Sequence, residues 1–426
     1  MPDMSAARAG AAVRPPRFTA VAWVMLDWAA SAFSTVLITL VVAYVEKVAC
    51  AERPWGLDPG IVWAWTLAAA MLASALVAPW FSAWADRRRR HKTALLASIV
   101  AGAGAVLLLA AAPPTALVAI LAAVALANVG FDMAAIFTGS LLAGIAAGPI
   151  ADRLSAFGFA AGYAGGGIAL LIATGIVAAR DTLGLSLADG LRAAFAFTAI
   201  WWLLFSLPAA LARFDTDRDN GHAATSAGEL FAFARSLARP ANHNGRHLAA
   251  ILLGSMLVLG AVQTAIAQFS SVALEEFKLE PTALVWLVLL VQAVALPGAL
   301  AVGLLSERVG RRAALVACLA GWIAVLTLAW FVRTVPQLHA LAVLLALVLG
   351  GVQSVIRAAV AEAAPEGRAG VTFGLLQVGS KLAGAAAGLA FGGLYLATGY
   401  PRAGLAALLV QILLGWWALA RGPSGR

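Results

Sequence analysis

Charged side chains are scarce in this chain: Asp, Glu, Lys and Arg together make up 12% of 426 residues. Soluble domains carry roughly a quarter. That shortage excludes a water-soluble protein, and 62% hydrophobic residues place the chain in a bilayer. Cysteine is nearly missing. Cys50 and Cys318 lie in opposite halves without metal or redox spacing, so two free thiols are expected. The net charge of +9 has no polar domain on which to cluster, which excludes nucleic acid as a partner. No Gly-x-x-x-x-Gly-Lys-Ser/Thr run is present, so ATP does not drive the protein. Buried histidine and a Ser–His or carboxylate pair at one depth are lacking too, so neither an enzyme nor a cofactor is expected.

What is present is a series of apolar runs. Taking about 20 residues per crossing, twelve can be drawn: 20 to 45, 60 to 84, 93 to 112, 115 to 141, 155 to 178, 191 to 212, 247 to 272, 283 to 304, 313 to 332, 338 to 361, 371 to 396 and 402 to 420. They are Ala- and Leu-rich without alternation, and hydrocarbon leaves backbone groups no water to bond. Helices are therefore expected, not barrel strands. The first run is too long for a secretory h-region and reads as a retained span. Positive charge favours one side. Arg87 to Arg90, Lys92, Arg153, Arg218, Arg235, Arg239, Arg308, Arg311, Arg312 and Arg368 fall in even-numbered connections, with Arg8, Arg14, Arg17, Arg421 and Arg426 in the tails. The odd connections and their edges hold only Lys47, Arg53, Arg180, Arg192, Lys278, Arg333 and Arg402. Both termini are expected in the cytoplasm, with the protein in the plasma (inner) membrane.

The polar stretch Phe214 to Arg246 divides the chain into a tail (1–19), a six-helix bundle (20–213), a linker (214–246), a second six-helix bundle (247–420) and a short tail (421–426). Asp215, Asp217 and Asp219 begin like a calcium loop, but Gly221 comes one residue late and Ser226 replaces the bidentate Glu. His243 and His247 have metal-pair spacing with no third ligand. No metal is expected; a short amphipathic helix over Leu230 to Leu237 is. Glycines recur at four-residue steps, Gly158, Gly162 and Gly166 in the fifth run and Gly384, Gly388 and Gly392 in the eleventh. Small residues one turn apart let helix backbones approach. Packing within a bundle and a sliding contact between bundles are both open.

One pattern appears twice, half a chain apart. Gly303-Leu304-Leu305-Ser306-Glu307-Arg308-Val309-Gly310-Arg311-Arg312 has its echo in Ser82-Ala83-Trp84-Ala85-Asp86-Arg87-Arg88-Arg89-Arg90. The pair resembles the signature loop of the major facilitator superfamily, with Glu307 for the usual Asp and with Ser82 and Arg89 where that family has glycines. Leu26-Asp27-Trp28-Ala29-Ala30-Ser31-Ala32-Phe33 resembles the first-helix signature of one branch, the unidentified major facilitator family, whose fungal relatives are vacuolar amino-acid effluxers linked to autophagy. Phe157-Gly158 through Gly166, Trp201-Trp202-Leu203-Leu204-Phe205-Ser206-Leu207-Pro208, and Gly350-Gly351-Val352-Gln353 followed by Arg357, Pro365, Phe373-Gly374 and Lys381 are similar to further stretches of that family, in order. Leu26, Ala30 and Gly139 depart from it, removing three polar side chains from helices the resemblance places around a cavity.

The resemblance implies an all-α membrane protein of twelve helices in two pseudo-symmetric six-helix bundles, moving a small solute by alternating access. An ionised carboxylate at helix centre costs about 2.5 to 3.5 kcal/mol on insertion, so intramembrane charges need a reason. Asp27 and Asp132, with Asn128 one turn from the latter, are candidates for proton coupling, or for a structural ion pair or helix-to-helix hydrogen bond. Arg357, one turn after Gln353, and Lys381 supply opposite charge in the second half; they suit pairing across the cavity or a carboxylate-bearing solute, with Gln263 and Gln377 as neutral hydrogen-bonding partners. Snorkelling is the other reading of Arg357. Asp86 and Glu307, with Arg87, Arg90, Arg308, Gly310, Arg311 and Arg312, would form a conformational latch, the carboxylates sitting at the positive heads of the eleventh and fifth helices. The expected partners are a small-molecule substrate, membrane lipid and protons, the expected state a monomer, and the expected activity efflux of an amino acid or hydrophobic compound. The alternative is a non-transporting membrane scaffold or assembly factor.

Overall fold

The computed structural model describes residues 15–146, 148–214, 227–240, 242–365 and 368–421; Asp215, Asp217, Asp219, Gly221 and Ser226 lie outside them, as does the side chain of Glu307. Twelve long helices account for the expected runs: α1 (Arg17–Ala49), α2 (Pro59–Arg87), α3 (His91–Ala111), α4 (Leu117–Ile145), α5 (Gly148–Ala178), α6 (Leu187–Leu211), α7 (His243–Glu276), α8 (Pro281–Val309), α9 (Arg311–Leu328), α10 (Val335–Ala363), α11 (Ala369–Thr398) and α12 (Pro401–Arg421). A further linker helix, Ala227–Ala238, covers the expected amphipathic stretch. Among the described residues there is no strand. Ten of the twelve are long and apolar enough to cross a membrane; α8 offers the shorter apolar stretch Pro281–Ala295, and α11, which carries Lys381, is the other exception.

Local chemistry sets the ends. Thr334 and Gln337 form a reciprocal capping box at the head of α10. Ser186 caps α6 through the Asp189 N–H and Asn242 caps α7 through the Gly245 N–H. Gly310, at φ +88°, separates α8 from α9 with a backbone that L side chains rarely adopt. The first helix outruns its apolar run: the backbone widens to i→i+5 hydrogen bonding over Leu37–Val41 and Val45–Ala49, carrying helix past Glu46 and Lys47.

The two bundles repeat one packing plan. In the first, α1 packs on α5 and α6, α3 on α4 and α6, and α2 on α4; in the second, α7 packs on α11 and α12, α9 on α10 and α12, and α8 on α10. Arg192 at the head of α6 donates to the Ala110 carbonyl at 2.7 Å at the end of α3, and Arg402 at the head of α12 donates to Trp330 O at 3.1 Å at the end of α9. Each thereby places a cation at the C-terminal end of a neighbouring helix, Arg192 on a last-turn carbonyl and Arg402 on one just past the helix. The conspicuous aromatics lock α1 to α6, with Trp28 stacked on Trp201 at 5.9 Å and Phe33 on Trp202 at 5.3 Å. Such pairs contribute about 0.5–1.5 kcal/mol each beyond burial. Large apolar side chains such as Leu211 and Val118 stay exposed; with hydrocarbon as the surroundings, that exposure carries no penalty.

The face bearing the described chain ends and the linker helix is called here the linker face, and the opposite one the far face. Between the bundles, α2 lies along α11 over an extensive contact and α5 meets α8 more lightly. The glycine series divide accordingly. A Cβ at Gly158, Gly162 or Gly166 would strike Asp27, Ser31 or Thr35 of α1, within one bundle; one at Gly388 or Gly392 would strike Ala68 or Trp65 of α2, across the seam. Hydrogen bonds between the bundles lie toward the far face and midplane: Trp63 Nε1 donates to Ala267 O at 3.1 Å and Trp65 Nε1 to Leu389 O at 3.4 Å. The far side of the seam is closed.

Candidate functional site

Asp132 lies midway along α4 and Lys381 thirteen residues into α11, 249 positions apart in sequence. The fold brings them together across the two bundles: Lys381 Nζ donates to Asp132 Oδ1 at 2.7 Å, with the side chains 20% and 13% exposed. Lys381 is held in register by its own helix, where Gly379 abuts Met256 and Gly384 abuts Gly260, both of α7. Close backbone approach of α11 to α7 and α2 thus aims a flexible cation at α4. In surroundings of low dielectric such a pair is stable only while both members stay.

Asp27 points elsewhere. Its carboxylate sits over Gly158 of α5, and with Ser31, Thr138 and Trp202 it lines a small cavity inside the first bundle, between α1, α3, α4 and α6. No described ion pair reaches it. Asn128 donates from Nδ2 to Val124 O at 3.1 Å, one turn back on its own helix. Gln263 and Gln353 are half-buried, Gln377 is exposed, and Arg357 is exposed with its guanidinium 5.9 Å from the Phe159 ring of α5.

At the two signature loops the described ion pairs of Asp86 and Arg311 lie within a bundle. Asp86 Oδ1 lies 3.2 Å from His91 Nε2 at the head of α3. Arg311 pairs with Glu362 near the end of α10 and donates to Ala358 O at 3.3 Å. Arg87, Arg90, Arg308 and Arg312 are exposed. The linker helix buries Leu230 and Phe233, with Leu230 against Gly374 of α11 and the Arg368 guanidinium 5.9 Å from the Phe233 ring.

Several polar groups escaped sequence reading. Glu46, Gln268 and Gln292 are buried or half-buried, each with a side-chain oxygen or nitrogen that has no hydrogen-bond partner, and Glu276 pairs with Arg402 at the far face. Glu46 and Glu276 fall just beyond the ends at which the apolar runs were cut.

The comparisons agree with this architecture. Residues 62–421 match the family described as "Vacuole effluxer Atg22 like". A curated relative, the "Uncharacterized MFS-type transporter YxiO" of Bacillus subtilis (strain 168), is 25% identical over 408 residues, covering 94% of each chain. The fold is similar to a D-xylose-proton symporter (TM-score 0.73, 14% identity, 96% of this chain and 99% of that one). It is also similar to the human organic anion transporter MFSD10 (TM-score 0.60, 17% identity, 95% and 100%). Twelve helices in two pseudo-symmetric bundles and a family match over most of the length make this chain a multi-pass membrane protein with the major facilitator fold, and it belongs to the Atg22-like vacuole effluxer family.

Proposed function

We propose that the protein exports a small zwitterionic organic solute by alternating access, the two bundles rocking about a site at the midplane. The observation that carries this reading is the Asp132–Lys381 ion pair, which spans the bundles at mid-helix depth. A pair in that position is a switch between two partners. A zwitterion offers a carboxylate to Lys381 and an ammonium to Asp132, so solute binding exchanges one set of charge-assisted bonds for another. Protons compete for the same carboxylate, and that competition couples solute to proton movement. Charge asymmetry along the chain supports a cytoplasmic linker face, and with it a plasma-membrane location.

The scaffold reading has no use for two opposite charges held at that depth. Purified protein in liposomes bearing an internal pH dye distinguishes the two. Addition of amino acids, organic acids or lipophilic cations should give solute-dependent proton flux for one class, abolished by Asp132→Asn and by Lys381→Ala. Unchanged flux in both variants, or no flux with any class, removes the proposal.

A further inference from the structure

A second ionisable group sits in the seam, away from the midplane pair. Glu46 of α1 is 3% exposed, and neither carboxylate oxygen has a hydrogen-bond partner. It lies in the widened last turn of α1, where Cys50 N–H reaches back five residues to Val45 O at 2.8 Å. Across the seam stands Ser271 of α7, its hydroxyl facing the carboxyl. Ser271, Glu275 of α7 and Tyr395 of α11 all converge on Gly60 at the head of α2, so four helices from both bundles close over this point.

The charges around it do not neutralise it by contact. Lys47 and Lys278 are exposed; the Lys47 ammonium reaches the Leu274 carbonyl at 3.5 Å. Arg53 and Asp58, in the α1–α2 connection, pair with each other at 3.2 Å. Glu275 is a second carboxyl on the opposite wall, and Tyr395 is a buried phenol. Burying an unpaired carboxylate costs several kcal/mol, and such groups take up a proton instead. An ionised Glu46 would in addition face Glu275.

We propose that Glu46 is a proton-binding site that seals the far face: the seam closes over the neutral carboxylic acid and opens when the acid releases its proton to far-face water. The proton enters and leaves on that face alone, so Glu46 sets the pH at which the far side opens and carries no proton across the membrane. This needs alternating access but no particular solute, and it stands if the Asp132–Lys381 reading fails.

The test uses spin labels on cysteines introduced at the exposed far-face residues Leu183 and Phe331, one in each bundle, in liposome-reconstituted protein without solute. The open-to-closed ratio should rise with pH, by at most about tenfold per unit, the limit for one proton. E46Q should remain closed at every pH, and E275Q should keep the seam shut to higher pH by removing the facing charge. Difference infrared spectra of the unlabelled protein should contain a protonated-carboxyl band that alkali removes and that E46Q lacks. A parent protein with no pH-dependent carboxyl band, or an E46Q variant that opens with pH as the parent does, overturns the proposal.

Discussion

Removing one member of the Asp132–Lys381 pair should be worse than removing both. At 2.7 Å and an effective dielectric of about 20, two unit charges attract by about 6 kcal/mol before desolvation is subtracted. Lys381→Ala leaves Asp132, 13% exposed, as an uncompensated charge between bundles. Loss of one partner from a buried pair costs about 3–5 kcal/mol, whereas neutralising both is often near neutral because no stranded charge remains. The double variant Asp132→Asn/Lys381→Gln should therefore recover most of the stability that either single variant loses. Equilibrium unfolding in detergent across the four proteins gives the interaction term, and flux in liposomes gives its functional counterpart. The double variant should be folded and inactive. Stability losses that add within about 0.5 kcal/mol would show independent side chains and refute the reasoning.

Three further outcomes follow from packing and burial. A Cβ at Gly388 would lie 3.0 Å from Ala68 Cβ and 3.3 Å from Ala64 O, so Gly388→Leu should pry α11 from α2 and lengthen far-face spin-label distances while Gly393→Leu, with open space around it, leaves them unchanged. Arg192→Gln removes carbonyl bonds at the end of α3 and should cost about 1–2 kcal/mol; Arg402→Gln also strands Glu276, and its larger loss should appear in the same unfolding assay. Cys50 follows the last residue of α1, and burial, then the nearby Glu46, pushes its thiol up to about 12. Since the thiolate is the nucleophile, a membrane-impermeant maleimide at pH 8 should leave Cys50 unmodified while labelling a cysteine introduced at Leu183; rapid modification of Cys50 would contradict its buried, protonated state.

The signature stretches became legible as packing once folded. Trp28 and Phe33 of the first-helix motif stack on Trp201 and Trp202 of the sixth-helix motif, so the resemblance marked two faces of one contact. Asp27, from the same motif, was harder to place, because a rotation of about 100°, one residue along the helix, decides whether a side chain meets the central seam or the interior of its own bundle. Glu46 was missed outright. The apolar run stops one residue short of Glu46, whereas the backbone of α1 continues by widening its turns, which hydropathy does not register.

By itself the sequence determined the membrane setting, the number and order of the helices and the internal repeat, because long apolar runs have one low-energy form in hydrocarbon and repeated motifs survive in one dimension. Tertiary structure decided which charges meet. Asp132 and Lys381 are 249 positions apart; their pairing depends on α11 lying against α2 and α7, a contact fixed by Gly384, Gly388 and Gly392. It also separated the two glycine series, one packing within a bundle and the other across the seam, since a small-residue face states how closely a helix can approach and leaves its partner to the fold.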